Sequence, residues 1–149
     1  MTKRTSKGPA LSCPSAQPDW ENSKVVGIVQ GTVEQPMVAF LDRALPVTDE
    51  LLAQTRPAPP TAVLRISATC IENACVHFKH RQCTLVGRIL DMLEPVVSDL
   101  PGCNIRSSCR WYFQAGSSAC VRCPQVVTKY AGPSKELADL SVVPEQGQL

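Results

Sequence analysis

Apolar residues fall in short runs along the chain, none longer than about five. The segments KVVGIVQ (24–30) and PMVAFLD (36–42) are rich in β-branched and aromatic residues and flank the turn-like GTVEQ. That pattern predicts a β-hairpin. Gly27, inside the first run, marks a bulge or a close backbone approach. Residues 47–54, VTDELLAQ, read as a short helix with Thr48 as N-cap and Asp49 and Glu50 in its first turn, where the helix dipole favours acids. TAVLRISA (61–68) reads as a strand or an extended lead-in. Residues 79–93 carry apolar side chains at Cys83, Val86, Ile89, Leu90 and Leu93, a helical spacing that predicts one amphipathic helix despite Gly87, closed by Pro95. Pro101-Gly102 is a turn, and 108–115 is one or two helical turns with Gly116 as C-cap.

Polar and proline-rich stretches divide the chain. Residues 1–19 read as a disordered tail, 20–130 as a single cysteine-rich metal-binding domain, and 131–149 as a flexible tail with a short helix near 133–140. The break RPAPP (56–60) sets a lobe boundary between a cysteine-free β-hairpin lobe and a cysteine-rich lobe of helices and loops around a metal site. The expected class is therefore a small α+β domain.

Composition sharpens this picture at one point. Aromatics are 5% of the 149 residues, so the core is mostly Val, Leu, Ala and Cys, and a core that small is often supplemented by metals or disulfides. Eight cysteines make that choice the central question. The basic opening residues are not followed by an apolar stretch of a signal peptide's length, and no run is long enough to span a membrane; a cytoplasmic location is the expectation. Thiols stay reduced there, and clustered cysteines more often bind metal than form disulfides. The segment 61–130 holds seven of the cysteines and eight basic against four acidic residues. Positive charge favours the thiolate that ligates metal. No basic run exceeds two residues and few aromatics interleave with them, so a nucleic-acid partner is not expected.

The spacing is C70-x4-C75-x7-C83-x19-C103-x5-C109-x10-C120-x2-C123, with His77 and His80 between the second and third cysteines. Cys13, alone in the polar N-terminal stretch, is set aside as a poor ligand. Cys120 and Cys123 stand at knuckle spacing, which closes cheaply around a metal. Zinc folds commonly use two such pairs, or one pair with H-x3–5-H, and this chain has neither. Iron–sulfur clusters accept irregular and distant cysteines, and a proline after the last cysteine also occurs in one ferredoxin pattern. The expected cofactor is a [4Fe–4S] cluster, one or two per chain, with zinc as the alternative. Cys103, Cys109, Cys120 and Cys123 are the first site expected. Cys70, Cys75 and Cys83 form a second with His77, or a three-cysteine cluster with an open iron; His77, His80 or Cys13 could supply an eighth ligand. A set mixing both halves is equally permitted. Cys83, on the apolar face of its helix, also reads as plain core. Trp111 and Tyr112 read as a shield from water, and Arg106, Arg110 and Arg122 as counter-charges to a thiolate-ligated cluster.

The stretch LPGCNIRSSCRWYFQAGSSACVRCPQVVT (100–128) resembles a segment of small bacterial proteins loosely labelled nitrogen-fixation proteins, through a C-x5-C-R-W and A-C-x-R-C-P-Q pattern. The resemblance covers about thirty residues, or sixty with the upstream C-x4-C, and implies a bacterial metal-associated protein without implying a role in nitrogenase. The chain has no G-x-S-x-G, P-loop or G-x-G-x-x-G, and no C-x3-C-x2-C loop of radical enzymes. The expectation is an iron–sulfur protein acting as electron carrier, redox sensor or accessory to a larger enzyme, not itself an enzyme. A zinc-stabilised interaction module is the alternative.

Overall fold

A computed structural model describes residues 10–129. Four strands, β1 (Ser12–Cys13), β2 (Lys24–Gly31), β3 (Pro36–Pro46) and β4 (Leu64–Thr69), form an antiparallel sheet in the order β1-β4-β2-β3. A second, two-stranded ribbon pairs β5 (Phe78–Lys79) with β6 (Gln82–Cys83). The helices are α1 (Asp49–Ala53), α2 (Pro60–Val63), α3 (Thr84–Met92), α4 (Arg110–Ala115) and α5 (Ser117–Cys120). The molecule is a small α+β fold, as the hydrophobic pattern predicts.

The expected hairpin is β2 and β3, and Gly27 has the role its place in the run suggested. The register of β2 shifts between Val25 and Gly27 against both neighbouring strands: against β4, Val26 is the extra residue of a bulge, while against β3 the extra residues, 41–44, lie on β3. Val25 consequently packs in the core beneath one face of the sheet while Val26 lines a cysteine-bearing cavity. Asn104, next to Cys103, donates to the carbonyls of Val26 (3.4 Å) and Leu41 (2.9 Å), which ties the cysteine loop to the bulge. α1 starts where expected: the Thr48 hydroxyl accepts from the Leu51 N–H at 3.2 Å.

Three expectations need correction. The proline break at 56–60 does not divide the molecule, because β4, beyond the break, pairs along β2, before it. The five residues 64–68 are all buried, which marks β4 as a central strand covered on both faces. The predicted helix over 79–93 begins only at Thr84; the five residues before it form the β5–β6 ribbon, with His80 and Arg81 at positive φ in its turn. The left-handed turn forbids a helix there, while Leu85, Val86, Ile89 and Leu93 keep the apolar face that the periodicity indicated. The expected N-terminal tail is ordered from residue 10 onward. Ser15, Ala16 and Gln17 are buried, the Ala16 N–H donates to the Ile66 carbonyl at 2.9 Å, and Cys13 pairs opposite Ala68. Its polar side chains are neutralised by tertiary partners instead of by water: Ser15 bonds Thr128, and Gln17 donates to the Lys129 carbonyl at 2.8 Å. Residues 131–149, read as a tail with a short helix near 133–140, lie outside the described residues.

Two apolar cores result. One joins the sheet to the N-terminal segment through Ala16, Val25, Leu64, Ile66 and Ala68. The other packs α3 against the helices that follow, through Leu85, Val86, Ile89, Trp111 and Val126. Replacing Gly27 with Ala should destabilise the protein by about 1–3 kcal/mol, as overpacking does. A Cβ there would stand 2.6 Å from Val38 Cγ1 and 3.0 Å from the Ala39 carbonyl oxygen, so the Val38 side chain must shift and the neighbouring strand give way. The denaturant midpoint of purified protein measures the loss, and an unchanged midpoint would contradict the tight approach.

Candidate metal centre

The eight cysteines are all free and fall into two groups. Cys103, Cys109, Cys120 and Cys123 line one cavity, the set that sequence density singled out. Its walls are otherwise mostly apolar: Pro14, Val26, Phe40, Ile105 and Trp111. The local folds explain the placement. Cys109 precedes α4 directly, Cys120 ends α5, and Cys123 opens a 3-10 turn, Cys123–Gln125, whose second position is the buried Pro124. Gly116, at φ 66°, ends α4 and lets the chain reverse into α5, so cysteines from two short helices face one space.

Cys70, Cys75, Cys83 and Cys13 line a second cavity with His77, Phe78 and Arg110. Cys13, set aside on sequence grounds, arrives through β1: it lies opposite Ala68, and the Cys70 N–H donates to the Leu11 carbonyl at 2.9 Å. His77 belongs to this cavity, and its Nε2 is buried without a hydrogen-bond partner. His80 sits exposed in the ribbon turn and does not line the cavity. Cys83 is held from outside by Gln114, which accepts from its N–H (2.8 Å) and donates to its carbonyl (3.2 Å). Each cavity is small, about 20 Å³, and opens to solvent at its mouth. Among the described residues, no three His, Cys, Asp or Glu side chains are arranged to hold a single metal ion. The thiols stand around two spaces instead of converging on a point.

Arginines reach both sets of sulfur. Arg65, buried in β4, places Nη1 at 2.9 Å from Cys123 Sγ and its other amino group on the carbonyls of Cys123 and Val126. Sequence reading passed it over, although it is the one charged residue in the run TAVLRISA. Cys13 had a signal as well: it precedes a proline, as Cys123 does. Arg110 places Nε at 3.1 Å from Cys70 Sγ and pairs with Glu72 at 2.9 Å. Arg106 lines the first cavity with a buried Nε that has no partner. Arg122 differs from the expectation for it. Its guanidinium is spent on the Leu93 and Ser118 carbonyls, both at 2.8 Å, and it lines neither cavity.

Burial dominates the acidity of these thiols. It pushes Cys109 up to about 12, with Cys123 and Cys103 adding repulsion against two backbone hydrogen bonds. Cys123 is also raised, first by burial, although Arg65 opposes the shift. In the second set burial raises Cys13 well above its ordinary range, and Cys70, Cys83 and Cys75 add to it. Cys75 and Cys83 are raised chiefly by burial too. Buried thiols raised in this way lose their protons readily only to a cation that coordinates the sulfur. The chain matches no protein-family model, no curated protein and no solved structure.

In metal-free protein, folded Cys109 keeps its proton up to about 12, whereas the unfolded chain releases it near the ordinary 9.0. The stability that this raised value contributes is present in full below about pH 9 and is lost as pH climbs towards about 12. The denaturant midpoint of metal-free protein should therefore fall through that window, and Cys109→Ala should flatten the fall. An equal slope in the variant would show that Cys109 does not contribute.

Proposed function

We propose that this chain is an iron–sulfur protein holding a [4Fe–4S] cluster on Cys103, Cys109, Cys120 and Cys123, and that it transfers or senses single electrons in service of a larger enzyme. The observation that carries this reading is the convergence of those four cysteines on one mostly apolar cavity, with the Arg65 guanidinium on Cys123 Sγ. Four sulfurs around one zinc lie about 3.8 Å apart, given Zn–S bonds near 2.3 Å in tetrahedral geometry. A four-iron cluster takes its ligands at wider spacing, which suits thiols disposed around a space. When bound, the cluster would accept and release one electron without covalent change in the protein.

The residues have distinct parts in this reading. Val26, Phe40, Ile105 and Trp111 keep water from the centre, and such a shell sets solvent access and potential. Arg65 and the unpartnered Nε–H of Arg106 present positive hydrogen-bond donors to an anionic centre, the kind of contact that tunes cluster potentials. No helix among the described residues is long and apolar enough to cross a membrane. A bacterial cytoplasm is the proposed setting, supported by the resemblance of 100–128 and by the abundance of free thiols.

Protein purified without oxygen should be brown, absorb near 400 nm and contain iron and acid-labile sulfide in equal amounts. Cys120→Ser or Cys123→Ser should remove most of the iron bound at this site. Stoichiometric zinc with no sulfide would overturn the reading in favour of a zinc-stabilised interaction module. The arginines provide a second test. An added electron is stabilised by nearby positive charge, so Arg65→Gln should lower the reduction potential in an EPR-monitored titration. Arg65→Lys should lower it less, and Arg122→Gln should barely change it. A potential that rises in Arg65→Gln would contradict the assigned contact.

A further inference from the structure

We infer that the second cavity is a second [4Fe–4S] site, with Cys13, Cys70, Cys75 and Cys83 as its ligands, set back to back with the first across Trp111. The inference rests on the iron–sulfur reading of the first cavity and extends it in number, ligand set and electron path. Three features carry it.

The first feature is the donor set. Four thiols from three separated parts of the chain line one cavity, and Cys13 completes a four-cysteine set. Its strand position is built in: β1 pairs with β4, Ser12 bridges to Cys109, and Ser12 Oγ lies 2.9 Å from Ser108 Oγ. Pro14, directly after Cys13, is buried and lines the first cavity as well as the second.

The second feature is a shared pattern of polar groups. In the first cavity one arginine donates to a cysteine sulfur (Arg65 to Cys123), and one buried donor has no partner (Arg106 Nε). In the second, Arg110 donates to Cys70 Sγ, and His77 Nε2 is the buried atom without a partner. Cys75 is already contacted by the His77 N–H at 3.4 Å. With four thiols present, a cluster of the four-cysteine type needs no imidazole ligand. His77 Nε2–H then serves as a hydrogen-bond donor to cluster sulfur, a positioning and tuning role in place of the ligand role expected from sequence.

The third feature is the wall. Trp111 lines both cavities. The segment Cys109-Arg110-Trp111 gives a thiol to the first cavity, a guanidinium to the second and an indole to both. Two clusters so placed are one side chain apart, close enough for an electron entering one to pass to the other. Each cluster takes one electron from the donor, dithionite in the test below, and no bond to the protein forms or breaks.

The test counts iron and sulfide in anaerobically reconstituted wild-type protein and records EPR spectra after dithionite reduction. Wild type should hold about eight iron and eight sulfide per chain, two clusters' worth. Its reduced spectrum should be broadened by interaction between two spins. Cys13→Ser should hold about half that iron and give one unbroadened signal, whereas His77→Gln should keep the wild-type content. If wild type holds about four iron, lost in Cys120→Ser and retained in Cys13→Ser, the second site is overturned while the first-site reading stands. If His77→Gln loses half the iron and Cys13→Ser does not, the ligand set is overturned. Absence of iron and sulfide altogether overturns both readings. Should Cys13→Ser fail to fold, the wild-type count and spin coupling decide by themselves: about eight iron with broadening supports the second site, and about four without broadening overturns it.

Discussion

A guanidinium held 1% exposed at the centre of the sheet is the constraint around which the rest of this molecule is organised. Arg65 has no carboxylate partner among the described residues, whose one ion pair joins Arg110 to Glu72. A buried cation without a counter-charge is costly, and backbone carbonyls compensate it only in part. Arg65 spends its donors on two carbonyls and on Cys123 Sγ, and the neutral thiol that burial favours supplies no charge. The proposed anionic metal–thiolate centre would resolve both difficulties together, because coordination would remove the thiol proton and leave net negative charge beside the guanidinium.

Contacts around the cysteines also join the sheet to the cysteine-bearing helices. The bulge at Val26 turns one side chain of β2 into the first cavity and offers its carbonyl to Asn104, beside Cys103. Arg65 spans from β4 to the turn that carries Cys123 and Val126. Gln114 fastens α4 to Cys83, and Trp111 on the same helix belongs to both cavity walls. Each cavity therefore draws on the sheet and on the helices. In zinc-finger-like proteins metal affinity and folding energy are inseparable, and under the proposed reading a core this poor in aromatics would gain from the same coupling.

The patterns with short range were readable. Alternating β-rich runs around GTVEQ became β2 and β3, Gly27 marked the bulge, Thr48 capped α1, and Gly116 closed α4. The four densest cysteines proved to share a cavity, because helices as short as α4 and α5 cannot carry their ends far apart. Periodicity failed before Thr84, where residues 79–83 have the composition of a helix start but turn through two positive-φ residues into a ribbon, and at 61–63, read as extended but held in α2 before the strand starts at Leu64.

By itself the sequence determined the α+β class, the hairpin, the amphipathic face of α3 and a cysteine set whose members are close along the chain. Tertiary structure alone decided where Cys13 and Arg65 go. Cys13 is separated from Cys70 by more than fifty positions, and only the pairing of β1 with β4 brings them to one cavity. Arg65 reads as a stray charge in an apolar strand until the Cys123 turn is laid against the sheet. Local propensity and spacing act over a few residues; a site closed by strand pairing and by the desolvation of a charge depends on contacts that no window of sequence contains.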